Sequence, residues 1–147
     1  MLNLLAFDLG ASNGRAILGQ LDNGKSTMKE LHRFENNYII KDDVFYWDLP
    51  YLFDNLKKGL AAFKAENVGD LDCFGIDTWG VDYGLLDQNG ALLGIPVNYR
   101  DARTDGMMEE AFKIMPKEEI FEKTGLAFVQ FNTLYQLLAM KKMGDKT

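Results

Sequence analysis

The sequence predicts an α/β fold with a mixed central sheet, and three observations carry that expectation. An apolar run, Leu2 to Leu9, closes on Asp8 and Gly10 and suits a buried strand ending in a tight loop. Asp22-Asn23-Gly24 separates two further strand-like segments, Arg15 to Leu21 and Lys25 to Phe34, and Asn-Gly favours the positive φ of a hairpin turn. Past the polar stretch Glu35 to Asp43, which predicts irregular chain, and the aromatic cluster Phe45-Tyr46-Trp47, Asp48 and Pro50 mark a helix start, through side-chain capping and a proline suited to the first turn. Leu52, Phe53, Leu56, Leu60 and Phe63 recur at helical spacing, so residues 49–64 form an amphipathic helix. Asp72 to Trp79 predicts a buried strand, and Gly84 to Gly94 a hairpin around Gln88-Asn89-Gly90. The tail predicts helices over 105–115, 117–123 and 132–143. The order β-β-β-α-β, then helices, points to a mixed rather than a fully parallel sheet. No repeat or linker divides the chain, which predicts one unit over residues 1–147.

Composition narrows the function classes. The 147 residues are 47% hydrophobic and 26% charged, and a chain of this length buries roughly 70% of its unfolded surface without staples. Its formal net charge of −6 disfavours nucleic acid and anionic membranes as partners. One Cys, Cys73, and one His, His32, exclude an internal disulfide and a Cys/His zinc site within this sequence. The setting of His32 (LHRFEN) gives no nucleophile elbow, and Cys73 suits a small buried hydrophobe. The apolar start is too short for a signal or membrane segment, which makes the cytoplasm the expected compartment.

Four segments invite chemistry. Gly19 to Ser26 (GQLDNGKS) matches the phosphate-loop pattern G-x-x-x-x-G-K-[ST], but Leu21 and Asp22 fill the loop and Asp22 adds negative charge, so a hairpin explains it better. Asp8 to Arg15 (DLGASNGR) is a stronger phosphate candidate. Gly10 and Gly14 allow close backbone approach, Ser12 and Asn13 offer donors, Arg15 offers charge, and Asp8 suits Mg²⁺ held through water; the same spacing also suits a structural turn. Gly75 to Gly84 (GIDTWGVDYG) places glycine, aromatic and carboxylate residues where a polyhydroxylated ligand can lie, or forms a strand and hairpin with Trp79 in the core. Asn98 to Asp105 (NYRDARTD) alternates Arg100 and Arg103 with Asp101 and Asp105, either as a ligand clamp or as a capped helix start.

Taken in order, AFDLGASNGRA, HRFEN, YWDL, GIDTWGVDYGLLD, NYRDARTDGMMEE and TGLAFVQFNTLYQL resemble the FGGY carbohydrate kinase family. Within it, DTWGVDYGLLD and YRDARTDG are similar to the branch that acts on L-rhamnulose. The resemblance implies a ribonuclease H-like, actin-like ATPase fold. It implies transfer of the γ-phosphate of ATP, with Mg²⁺, to the sugar's 1-hydroxyl. Asp8 would face metal and phosphates, Ala11, Ser12, Asn13, Gly14 and Arg15 would lie on ATP, Gly80 would contact sugar, and Trp79 and Tyr99 would wall it. Members of the family are longer, so the general base, the rest of the first domain and a second domain are expected beyond Thr147, and the chain alone is expected to be inactive. Other ketoses, fuculose or xylulose, and a non-catalytic sugar- or nucleotide-binding module are the alternatives.

Overall fold

The computed structural model describes residues 1–144, which form two compact units. The first comprises Met1–Asn37 and Asp48–Gly80, and the second comprises Tyr38–Trp47 and the chain from Val81 onward. The sequence predicts one unit because it offers no linker. The chain instead passes between the units at three ordinary peptide bonds, and such crossings leave no trace in composition.

In the first unit, β1 (Leu2–Leu9), β2 (Asn13–Asp22), β3 (Lys25–Glu35) and β6 (Cys73–Thr78) form a sheet of order β3-β2-β1-β6. β1 pairs antiparallel with β2 and parallel with β6, so the expected mixed sheet is present. Asn23 and Gly24 take φ of 48° and 76° at the β2–β3 tip, so the phosphate-loop match is a hairpin. Helix α1 (Leu49–Ala65) starts at Asp48, whose carboxylate accepts the Tyr51 amide at 3.0 Å. It covers one sheet face, where Leu5, Phe7, Ala16, Leu18 and Phe63 pack together. Gly59 lets it come close, since a Cβ there would lie 2.5 Å from the Phe7 ring. His32 Nε2 lies 2.8 Å from Asn55 Oδ1, a helix-to-sheet contact remote from nucleophilic chemistry.

Three local readings change. Residues 35–43 are not irregular throughout: β4 (Tyr38–Lys41) and β5 (Val44–Trp47) form a two-stranded ribbon in the second unit. Its turn is made by Asp42 and Asp43, both at positive φ, a conformation aspartate tolerates better than most residues. β6 is the right strand with the wrong surroundings, because every residue in it is exposed, Cys73 included. It lies at a sheet edge, and its apolar sequence suits a covered parallel strand. The hairpin of 84–94 is present but shorter than its sequence suggests: Leu86 bridges Leu92 antiparallel, Asp87 N donates to Ala91 O and Leu93 N to Leu85 O, and Asp87 Oδ1 accepts the amides of Asn89 and Ala91 in the turn.

In the second unit a short 3₁₀ turn at Ala102–Thr104 precedes α2 (Met107–Ile114), α3 (Lys117–Thr124) and α4 (Thr133–Met143). The predicted start at 105 moves to 107 because Gly106 takes φ 73°. Ala111, Ile120 and Tyr135 form the core between the helices. Among the described residues no helix is long and apolar enough to cross a membrane.

Candidate functional site

The β1–β2 turn brings its expected residues together. Gly10 donates its amide to Asn13 O at 2.9 Å. Asn36 braces the turn from outside: its amide donates to Ser12 O at 3.0 Å and its Nδ2 to Gly10 O at 2.8 Å. Arg15 Nε and Nη2 both donate to Asp8 Oδ2, at 2.9 and 2.7 Å. Asp8 would repel a phosphate by itself, and Arg15 offsets that charge in place. Both side chains keep about two-fifths of their surface open, 43% for Asp8 and 41% for Arg15, so the pair is held and reachable.

Strand register extends the pair into a row. Asp8 is opposite Asp77 on β6 and opposite Arg15 on β2, and Arg15 is opposite Arg33 on β3. Residues opposite one another share a sheet face, so Asp77, Asp8, Arg15 and Arg33 cross all four strands with two negative and two positive charges in sequence. This face is the one away from Leu5 and Phe7, which point to α1. Arg33 Nη1 also donates to Asn13 Oδ1 at 2.9 Å and thereby steadies the turn. Sequence singles out no role for Arg33, and it places Asp77 in the sugar segment rather than beside Asp8. Only strand pairing across 69 residues brings Asp77 beside Asp8, and no local pattern encodes that.

Gly14 has a different reason to be glycine from the one its spacing suggests. A Cβ there would lie 2.2 Å from the tip of the Phe34 ring, so the position accommodates core packing whether or not a phosphate also approaches. Gly14→Ala is expected to destabilise the chain by about 1–3 kcal/mol through overpacking. Adding Phe34→Leu should recover most of that loss, as read from urea midpoints, and no recovery would locate the strain elsewhere.

The second segment divides between the units. Trp79 is half-buried and packs on Leu9, Phe34 and Leu52 in the first unit, so its ring is largely a core element there. Gly80 has nothing within 4 Å of where a Cβ would stand. Tyr99 belongs to the second unit, where its ring lies 5.2 Å from Phe131 and 6.4 Å from Trp47, under the Arg100 guanidinium.

The alternating charges of 98–105 resolve toward local structure. Asp101 accepts the amides of Phe45 and Arg103, each at 2.9 Å, and caps the 3₁₀ turn. Arg103 Nη2 donates to Gln136 Oε1 at 2.6 Å. Gln136, wholly buried, escapes sequence analysis because a glutamine on a helix looks like surface.

The first unit is thus a four-stranded mixed sheet with one crossover helix, an acidic residue near the end of its first strand and a tight turn behind it. Solved structures share the fold. The ligand-bound xylulose kinase from Lactobacillus acidophilus superposes with a TM-score of 0.81 at 17% identity, over 98% of this chain and 29% of that one. Plasmodium falciparum glycerol kinase with ADP gives 0.72 at 17% identity, over 99% and 30%. Sequence is more specific. Residues 3–145 match the N-terminal domain of the FGGY family of carbohydrate kinases, and the chain belongs to that family. It is 48% identical over 143 residues to a protein named rhamnulokinase from Mannheimia succiniciproducens, covering 95% of this chain and 29% of that protein. It is 46% identical over 137 residues to one of the same name from Lactiplantibacillus plantarum, covering 93% and 28%. The chain thus spans less than a third of the length of these relatives.

Proposed function

We propose that this chain is the N-terminal part of a cytoplasmic kinase that transfers the γ-phosphate of ATP to the 1-hydroxyl of L-rhamnulose. The observation that carries the reading is the 48% identity to a rhamnulokinase along 95% of the chain. In this reading the turn from Ala11 to Arg15 receives the phosphates of ATP, and Gly80, Trp79 and Tyr99 are the residues assigned to the sugar.

The donor set suits Mg²⁺. Asp8 and Asp77 are register neighbours on adjacent strands, and this ion takes one or two carboxylates with water and phosphate oxygens. Mg²⁺, when bound, neutralises charge on the transferring phosphoryl group. Arg15 holds Asp8 in one orientation and adds positive charge on the phosphate side. Ser12 and Asn13 line the turn with donors, the Ser12 carbonyl held by Asn36 and the Asn13 carbonyl by the Gly10 amide. The general base is assigned beyond Thr147, which leaves residues 1–147 to bind and orient rather than to take the sugar's proton.

Turnover of the full-length kinase on L-rhamnulose, fuculose and xylulose tests the assignment. The expected result is a clear preference in kcat/KM for L-rhamnulose and no sugar-dependent ADP formation by residues 1–147 alone. A preference for xylulose would overturn the substrate.

A further inference from the structure

Val81, the residue after Gly80, has φ 70°. A β-branched side chain avoids that left-handed backbone because its Cβ crowds the following carbonyl. The other non-glycine residues at positive φ among the described residues are Asn23, Asp42, Asp43 and Asn67, all types that tolerate it in turns. Val81 is the strained one, and such a backbone persists only where its surroundings over-determine it.

Two side chains of α4 do so. The Val81 carbonyl accepts Thr133 Oγ1 at 2.6 Å and Gln136 Nε2 at 3.2 Å. The orientation of the Gln136 amide is itself fixed, since Oε1 accepts from Arg103 while Nε2 also reaches Phe131 O at 2.9 Å and Asp82 Oδ1 at 3.3 Å. Trp47 Nε1 donates to the other Asp82 oxygen at 2.6 Å. The Val81–Asp82 peptide is therefore held at its carbonyl by Thr133 and Gln136, and the Asp82 side chain by Gln136 and Trp47, all distant in sequence.

We propose that Thr133 and Gln136 are positioning residues for the phosphoryl acceptor: their grip on the Val81 carbonyl holds the backbone after Gly80 in the conformation that receives the sugar. This rests on the reading of Gly80 as a sugar contact. Neither residue touches the reacting atoms in it; both act through Val81.

The test uses the full-length kinase. Thr133 is the position to vary, because Gln136 has too many buried partners for a clean substitution. Thr133→Val removes the donor and keeps the shape, and should raise the KM for L-rhamnulose about five- to tenfold, with the KM for ATP unchanged within about twofold. Thr133→Ser should restore the wild-type value. In a Val81→Gly background, where positive φ is unstrained, Thr133→Val should cost little. An unchanged sugar KM in Thr133→Val, a parallel loss in kcat and both KM values, or an equal effect in both backgrounds would overturn the proposal. Gly80→Leu tests the underlying reading separately: it should raise the sugar KM strongly, and an unchanged value would overturn that reading and the inference with it. A normal Thr133→Val beside an impaired Gly80→Leu overturns the inference alone.

Discussion

Asp8→Ala in the full-length kinase is expected to lower kcat by about a hundredfold or more while leaving the KM for sugar within about twofold. On the proposed reading Asp8 serves phosphate and metal, so its loss should fall there and not on sugar binding. The structure also supplies the control for folding. The Asp8–Arg15 pair is about two-fifths exposed on each side, and a pair that open contributes about 0–1 kcal/mol at most. A large kcat loss with an unchanged thermal midpoint is therefore a chemical effect. Asp8→Asn keeps the shape and removes the charge, and should lose nearly as much. A kcat within about twofold of wild type in both variants would make Asp8 a turn residue whose partner is Arg15 and nothing more. Asp77→Asn removes the second carboxylate of the row; if the two carboxylates hold Mg²⁺ as proposed, the expected result is a rise in the Mg²⁺ concentration needed for half-maximal rate.

Local order was legible where neighbouring residues cause it. Asn23-Gly24 makes its own turn, Asp48 and Pro50 start their own helix, and Leu52, Leu56 and Phe63 orient that helix on the sheet, while Phe53 and Leu60 of the same predicted stripe are exposed. Context was legible less often. The sequence of β6 suits a covered strand, yet its residues are exposed, because burial depends on what packs over a strand and not on the strand itself. Asp42-Asp43 hid a turn, since aspartates more often mark plain loops. At the site, Asp8 and Arg15 are seven residues apart and their pairing follows from an antiparallel turn. Asp77 and Arg33 join them only through sheet register. Gly14 illustrates a subtler gap: glycine announces that something comes close, but not whether that is a phosphate or Phe34. Charge alternation in 98–105 likewise announces partners without naming them, and Asp101 turned out to serve amides.

Trp47 carries the largest stability effect expected in the second unit. Its side chain is 1% exposed, its amide donates to Pro96 O at 2.9 Å, and its indole donates to Asp82. Trp47→Ala removes the ring and leaves a cavity, which costs about 3–5 kcal/mol for buried aromatics. Trp47→Phe retains most of the apolar contact and loses the indole donor to the Asp82 carboxylate, a charge-assisted bond whose removal costs roughly 1.5–3 kcal/mol. The ordering alanine, then phenylalanine, then wild type in chemical denaturation followed by circular dichroism is the expected result. Each variant also leaves Trp79 as the single tryptophan of the chain, so its fluorescence reports the first unit while circular dichroism reports both. Coincident transitions would show that the loss is transmitted to the β1–β2 turn; a fluorescence transition at the wild-type midpoint would confine it to the second unit. Equal stability of the alanine and phenylalanine variants would mean that the hydrogen bond to Asp82, rather than the buried ring, supplies what Trp47 contributes.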